Sequence, residues 1–230
     1  MKFQSEWLGL IDYQIATNLQ MKIGDDVREK KDGVVLGLEH PTVVTLGKSA
    51  QQEELEFYRR IFPHVEKSDR GGRATLHSPG QLVIYPLFPV RDWQLSVRDF
   101  VCGLETAVLK TLADLQISAF RKPNQVGIFT DRGKIASLGV RVDRGVSRHG
   151  ISINVSNDLS LFNQIVVCGV EGQEMDSVSI YGCIESTEQV FELFLSQLAS
   201  VFSLTGRPQI QQITCSDSPA PLAQLVRALP

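Results

Sequence analysis

Residues 70–88 read Arg-Gly-Gly-Arg-Ala-Thr-Leu-His-Ser-Pro-Gly-Gln-Leu-Val-Ile-Tyr-Pro-Leu-Phe, a loop of tightly restricted shape that runs into an unbroken apolar stretch. Gly71 and Gly72 carry no Cβ, so the backbone there can take positive φ or approach another group closely. Ser78-Pro79-Gly80 is turn chemistry, with proline fixing one φ and glycine supplying the unusual one. The apolar run after it, residues 82–88, has the composition of a buried strand. Any fold for this chain must therefore feed a sharp turn into an interior strand. The loop carries His77, and two readings stand: a cradle for a substrate, or a tight connection between strands.

With 230 residues and 43% hydrophobic content the chain can bury a full core. One α/β domain over residues 1–208 is expected, followed by an aperiodic tail, 209–230, with no expected chemistry. No apolar run approaches the roughly 20 residues that a membrane helix needs. Residues 1–7 lack a signal peptide's apolar core, so a cytoplasmic protein that does not enter membranes is expected. The four cysteines, at 102, 168, 183 and 215, match neither a CxxC metal pattern nor a dense disulfide framework. Net charge is −3, yet residues 70–148 hold 12 Lys+Arg against 6 Asp+Glu, so the remainder carries −9. A basic middle suits an acidic macromolecular partner. Nucleic acid fits poorly, since the pI is about 5.8 and no aromatic-interleaved basic run occurs.

Ile15, Leu19, Ile23 and Val27 predict an amphipathic helix ahead of buried strands at 33–39 and 43–46, which His40-Pro41 separates. Val97, Val101, Leu104, Val108, Leu112 and Leu115 predict a second helix capped by Ser96. Period-two patterns then predict strands at 126–129, 134–142 and 146–155, the last two joined by a hairpin at Asp143-Arg144-Gly145. A final helix is expected over 187–204. Strict βα alternation is absent, as are GxGxxG and GxxxxGK[ST] motifs. The expected class is α/β of the α+β type, a mixed, largely antiparallel sheet backed by helices.

Cys168 is the candidate nucleophile. It lies in Ile-Val-Val-Cys-Gly-Val, where Gly169 leaves room for an acyl group and offers an N–H to an oxyanion. The competing reading is an inert core thiol among valines. Cys102, Cys183 and Cys215 sit in bland contexts. A thiol of pKa ~8.5 needs an activating partner at neutral pH. Lys134 shares strand parity with Ala136, Leu138, Val140 and Val142, which would put its ammonium on an apolar face beside a thiolate; a lysine at a strand end, however, commonly snorkels to water. His77 and His149 are the other candidate partners, with no carboxylate evidently placed to orient either. Neither metal-ligand spacing nor a paired-carboxylate arrangement occurs.

Taken in order, Leu38-Glu39-His40-Pro41, Thr45-Leu46-Gly47, Arg70-Gly71-Gly72, Thr75, His77, Pro79-Gly80-Gln81, Tyr85-Pro86, Gly133-Lys134-Ile135-Ala136, Gly139-Val140-Arg141, Gly145-Val146, His149-Gly150, Asn154-Val155 and Cys168-Gly169 resemble the octanoyltransferases of lipoate biosynthesis, or lipoyl(octanoyl) transferases. The resemblance implies the fold of biotin and lipoate protein ligase catalytic domains, and acyl transfer by a Cys/Lys pair with no metal and no cofactor. Cys168 would take octanoyl from an acyl carrier protein as a thioester and yield it to a lysine of a lipoyl domain. Such acceptors are 2-oxoacid dehydrogenase E2 subunits and the glycine cleavage H protein. Lys134 would lower the thiol pKa and move protons. Substrate would contact Arg70, Gly71, Gly72, Arg73, Ala74, Thr75, Leu76, His77, Ser137, Leu138, Gly139, Gly150, Ile151 and Ser152. The chain departs from the family pattern at Ser78, Val167 and Arg148, none a reacting group. The rival readings are an ATP-dependent lipoate or biotin ligase of the same fold, which would not need Cys168, and a non-catalytic module that holds acyl carriers.

Overall fold

Two strands that are apolar on both faces organise the molecule. In the computed structural model, which describes residues 2–123, 125–167, 169–170, 172–204 and 213–214, these are β2 (Gly33–Glu39) and β6 (Gln81–Leu87), antiparallel neighbours in a seven-stranded sheet. Alternation along them feeds two cores. Val35, Leu82 and Ile84 face α3 (Val97–Asp114) and α4 (Thr187–Leu204), whereas Leu36, Leu38, Val83, Tyr85 and Leu87 face α1 (Tyr13–Lys30). Strands covered on both sides lose the hydrophobic alternation of half-exposed ones, which is why both segments read as continuous apolar runs.

The sheet continues through β9 (Val146–Asn154), β8 (Lys134–Asp143) and β7 (Ile128–Phe129), all antiparallel. The β8–β9 hairpin turns at Arg144 and Gly145, both at positive φ (46° and 89°), the conformation a two-residue hairpin loop demands. Ser96 accepts a hydrogen bond from Asp99 N and caps α3; Asp12 does the same for α1 through Gln14 N and Ile15 N.

Beyond β2 lie two strands that the pattern did not announce. β1 (Phe3–Leu10) runs parallel to β2, and residues 213–214, within the presumed tail, form β10 (Ile213–Thr214) parallel to β1. Most of β1 is half-exposed, so it shows neither a buried run nor clean alternation. The mixed, largely antiparallel sheet is as expected.

A second, three-stranded sheet carries the distinctive loop. β3 (Val43–Leu46) sits between β4 (Val65–Lys67) and β5 (Ala74–His77). α2 (Gln52–Tyr58) and the 3-10 turn at Leu159–Gln164 pack against it through Leu55, Tyr58 and Phe162. Residues 74–77 are thus a strand, and 78–80 the turn into β6.

Candidate active site

Period-two geometry on β5 divides its residues between core and cleft. Ala74 and Leu76 enter the core of the small sheet, whereas Thr75 and His77 line a cleft of about 410 Å³. Opposite them, β8 supplies Ser137, Leu138 and Gly139, and β9 supplies His149, Gly150, Ile151 and Ser152; Arg70, Tyr13, Val83 and Tyr85 complete the wall. The three separated segments named for substrate contact therefore meet here, minus Ala74, Leu76 and Arg73, and minus Gly71 and Gly72, which line the second cleft described below. Arg73 instead pairs with Glu54 at 3.2 Å and packs on Gly169, where a Cβ would come within 2.7 Å of its Nη1.

Arg70 is buried and shapes its own loop. Its guanidinium donates to Thr45 O at 2.6 Å, Gly71 O at 2.9 Å and Arg73 O at 2.8 Å. Three satisfied carbonyls from one rigid fork fix the path of residues 70–73.

The polar floor of this cleft is a ring of aromatics and imidazoles. His77 stacks on Tyr13 and its Nδ1 donates to Gln81 Oε1 at 2.7 Å; His40 meets Ile11 O and the Tyr85 hydroxyl at 2.7 and 2.8 Å. Since Gln81 Oε1 and Ile11 O only accept, each Nδ1 carries the proton. Burial pushes the His40 pKa down to about 4, and burial followed by the His40 charge takes His77 down to about 3. Both are neutral at physiological pH. His149 has an orienting carboxylate after all: Asp69, 80 positions away, lies 2.6 Å from its Nε2 and also binds Arg148 at 2.5 Å and Arg141 at 3.2 Å. The His149 hydrogen bond, aided by both arginines, holds the Asp69 carboxyl well below the usual range. Burial nevertheless outweighs that carboxylate at His149 and lowers its pKa, so the pair is imidazole and carboxylate rather than two charges.

A second cleft, about 1060 Å³, opens on the other side of Leu138 and Gly139 and shares Gly71 and Gly72 with the loop. Val101, Val126, Phe129, Val140, Val167 and Val170 give it an apolar lining, and Lys134 is its ionisable group among the described residues. Lys134 does not snorkel. It is 3% exposed, with Nζ 5.6 Å from the Phe129 ring centroid. Gly127, at φ +129°, makes room for it, because a Cβ there would meet Lys134 Cε at 2.5 Å and Ala136 O at 2.7 Å. Cys168 itself lies outside the described residues. Val167 and Val170, which stand on either side of it in the chain, pair with each other, and both line the Lys134 cleft. The main chain beyond them returns to Lys134, which donates from N to Glu174 O at 2.8 Å. Among the described residues, the thiols of Cys102 and Cys183 line neither of these clefts, and Cys215 lies outside the described residues.

The sequence does not single out Tyr13 or Asp69; it offers His40 as a separator of two strands and both His40 and Tyr85 as matches to the family pattern, whereas the structure joins them beneath the cleft.

Comparison with known proteins places this arrangement. Residues 12–199 match the lipoyl protein ligase A/B catalytic domain. An octanoyltransferase of Xanthomonas campestris pv. campestris (strain B100) is 37% identical over 201 residues, covering 87% of this chain and 86% of its own. One from Solibacter usitatus (strain Ellin6076) is 37% identical over 209 residues, covering 87% and 93%. In structure, the chain resembles lipoate-protein ligase A bound with ATP (TM-score 0.75, 14% identity, 99% of this chain and 93% of that one). It also resembles a biotin protein ligase from Aquifex aeolicus in complex with biotin and ATP (TM-score 0.53, 14% identity, 86% and 69%). The chain thus belongs to the lipoyl protein ligase A/B catalytic-domain family and, within it, to the octanoyltransferases, which are acyltransferases.

Proposed function

We propose that this acyltransferase moves an octanoyl group from octanoyl-acyl carrier protein to a lysine of lipoyl domains, in protein lipoylation, through a thioester on Cys168. The observation that carries the reading is the placement of Lys134, buried in an apolar cleft walled by Val167 and Val170, the described residues on either side of Cys168-Gly169 in the chain. An ammonium with little water around it favours a thiolate partner over a thiol.

In the first half-reaction the Cys168 thiolate attacks the carrier's thioester carbonyl, and the phosphopantetheine sulfur departs with a proton from Lys134. In the second, the acceptor lysine amine attacks the acyl-cysteine, Lys134 takes the amine proton, and the Cys168 thiolate leaves. Thioester to thioester to amide is downhill and needs no ATP. The acyl chain occupies the first cleft, where Val83, Leu138 and Ile151 offer apolar surface and the neutral histidines avoid burying charge against it. The second cleft admits the pantetheine arm to the pair. E2 lipoyl domains and the glycine cleavage H protein are the acceptors.

Intact-mass analysis after incubation with octanoyl-acyl carrier protein tests the reading. One octanoyl adduct, removed by hydroxylamine and missing in Cys168→Ala, is expected. A Cys168→Ala protein that still octanoylates a lipoyl domain, with ATP and free octanoate, would identify a ligase instead. Donor binding with no adduct and no transfer would identify a carrier-binding module.

A further inference from the structure

The chain that follows Cys168 reaches the body of the sheet at Asp176, a carboxylate with no exposed surface. Burying an acid is costly unless its oxygens are satisfied, and here they are. Thr130 Oγ1 and the Tyr181 hydroxyl donate to Oδ2 at 2.5 and 2.6 Å, Ser177 N donates to Oδ1 at 2.9 Å, and Arg132 Nε lies 3.8 Å away. The main chain on either side is clamped to Lys134. Lys134 N donates to Glu174 O at 2.8 Å and Asp176 N to Lys134 O at 3.0 Å. Gly133 permits this approach, since a Cβ there would lie 2.6 Å from Glu174 O. The network also reaches the first cleft: Asn154 Nδ2 donates to Asp176 O at 3.0 Å, Gln81 Nε2 to Asn154 Oδ1 at 2.9 Å, and Gln81 Oε1 holds His77.

Resting on the Cys168/Lys134 reading above, we infer that Asp176 is a positioning residue. Its carboxylate locks the chain that follows Cys168 against the Lys134 main chain and so sets the sulfur–ammonium distance. Thr130 belongs to the turn before Lys134 and Tyr181 to the 3-10 turn after Asp176, so a single carboxylate joins three segments. Neither residue lines either cleft. A reacting pair held by two loops of different origin needs such a joint, because a shift near 1 Å in such a pair costs about 100-fold in rate.

The test measures single-turnover acylation of full-length Asp176→Ala, Asp176→Asn and Thr130→Val by octanoyl-acyl carrier protein, with the pH profile of Cys168 alkylation by iodoacetamide read at the peptide level. Asp176→Ala should lower the acylation rate constant about 30- to 100-fold with donor KM nearly unchanged, and move the alkylation profile to higher pH, toward that of Lys134→Met. Asp176→Asn keeps an oxygen for Thr130 and Tyr181 and should recover most of the loss. Should Asp176→Ala fail to fold, Thr130→Val, which removes one donor and leaves the charge, should still show a partial loss of the same kind. Folded variants matching wild type in rate and alkylation profile would overturn the inference alone. Wild type giving no hydroxylamine-labile adduct would remove the Cys/Lys reading beneath it.

Discussion

The two clefts share a wall at Leu138 and Gly139 and are built on opposite physical principles. The first is dense with polar side chains that satisfy one another: His40 with Tyr85, His77 with Gln81, His149 with Asp69. The second is an apolar hollow holding one buried cation, Lys134. A closed network resists change in protonation and makes a rigid mould. A cation buried among apolar side chains favours an anion beside it. On the function proposed above, the first cleft supplies shape and the second reactivity.

The sharpest way to break that contrast is to remove the cation. Lys134→Met keeps the stem and deletes the charge, and should lower acyl-enzyme formation by about 100- to 10,000-fold, the range for a proton-transfer group, while leaving the melting temperature unchanged or raised. Lys134→Arg should not rescue, since a guanidinium keeps its proton and cannot pass it to the leaving thiol. Stopped-flow or quench acylation assays read both. Turnover of Lys134→Met within a few-fold of wild type would return chemistry to the histidine side.

Gly127→Ala perturbs the same cation without touching it chemically. The new Cβ has no room beside Lys134 Cε and Ala136 O, and φ +129° is unfavourable to any side chain. Acylation should fall about 10- to 100-fold, with thermal stability reduced as well. The pH profile of thiol alkylation should move with the rate; an unmoved profile would mean that the variant acts by general loosening alone.

The contrast between the clefts was only half visible in the sequence. Helices α3 and α4 and the β8–β9 hairpin follow from local signals, the stripe from Val97 to Leu115, the Ser96 cap and the Arg144-Gly145 turn, because those periods are set within one element. For Lys134, strand parity offered an apolar face while its place at a strand end favoured snorkelling to water; its burial was not legible, since that depends on Gly127 and Phe129 arriving from β7 and its approach. β5 hid inside a glycine- and proline-rich stretch whose turn residues, 78–80, mark only its end. The Asp69–His149 pair joins residues from the small and large sheets, 80 positions apart, and no local pattern encodes such a meeting. Asp176 was invisible for the same reason: its partners come from the turn before β8 and from a 3-10 turn.

The first cleft makes its own prediction, through stability rather than rate. Folded His40 titrates near pH 4 instead of its ordinary 6.5. Between those values the unfolded chain binds a proton that the folded one refuses, so stability is complete above pH 6.5 and falls as the pH drops, by roughly 3 kcal/mol at pH 4. His77, held down to about 3, adds in the same direction over a wider window. Asp69, depressed below its usual range, likewise loses its contribution as acid protonates it. Denaturant midpoints measured from pH 7 to pH 4 should decline steeply in the wild type and less so in His40→Gln. Identical slopes would mean that His40 is not held neutral by the fold.

The smallest expected effect concerns what brings the donor to the second cleft. Residues 70–148 carry a net +6 within a chain of net −3, and they supply most of that cleft's wall, from Gly71 and Val101 to Val140. Lys122 sits 4.6 Å above the Phe129 ring at the same site. An acidic carrier should therefore be drawn to this side by unscreened charge, which salt weakens once the Debye length falls to about 10 Å near 0.1 M. Raising sodium chloride from 50 to 300 mM should increase donor KM a few-fold and leave the single-turnover rate at saturation almost constant, because a rim charge governs encounter and Lys134 governs the step. A loss confined to the saturated rate, with KM flat, would reverse that division: salt would then be reaching the buried pair, and the apolar cleft would be less sealed from water than its lining requires.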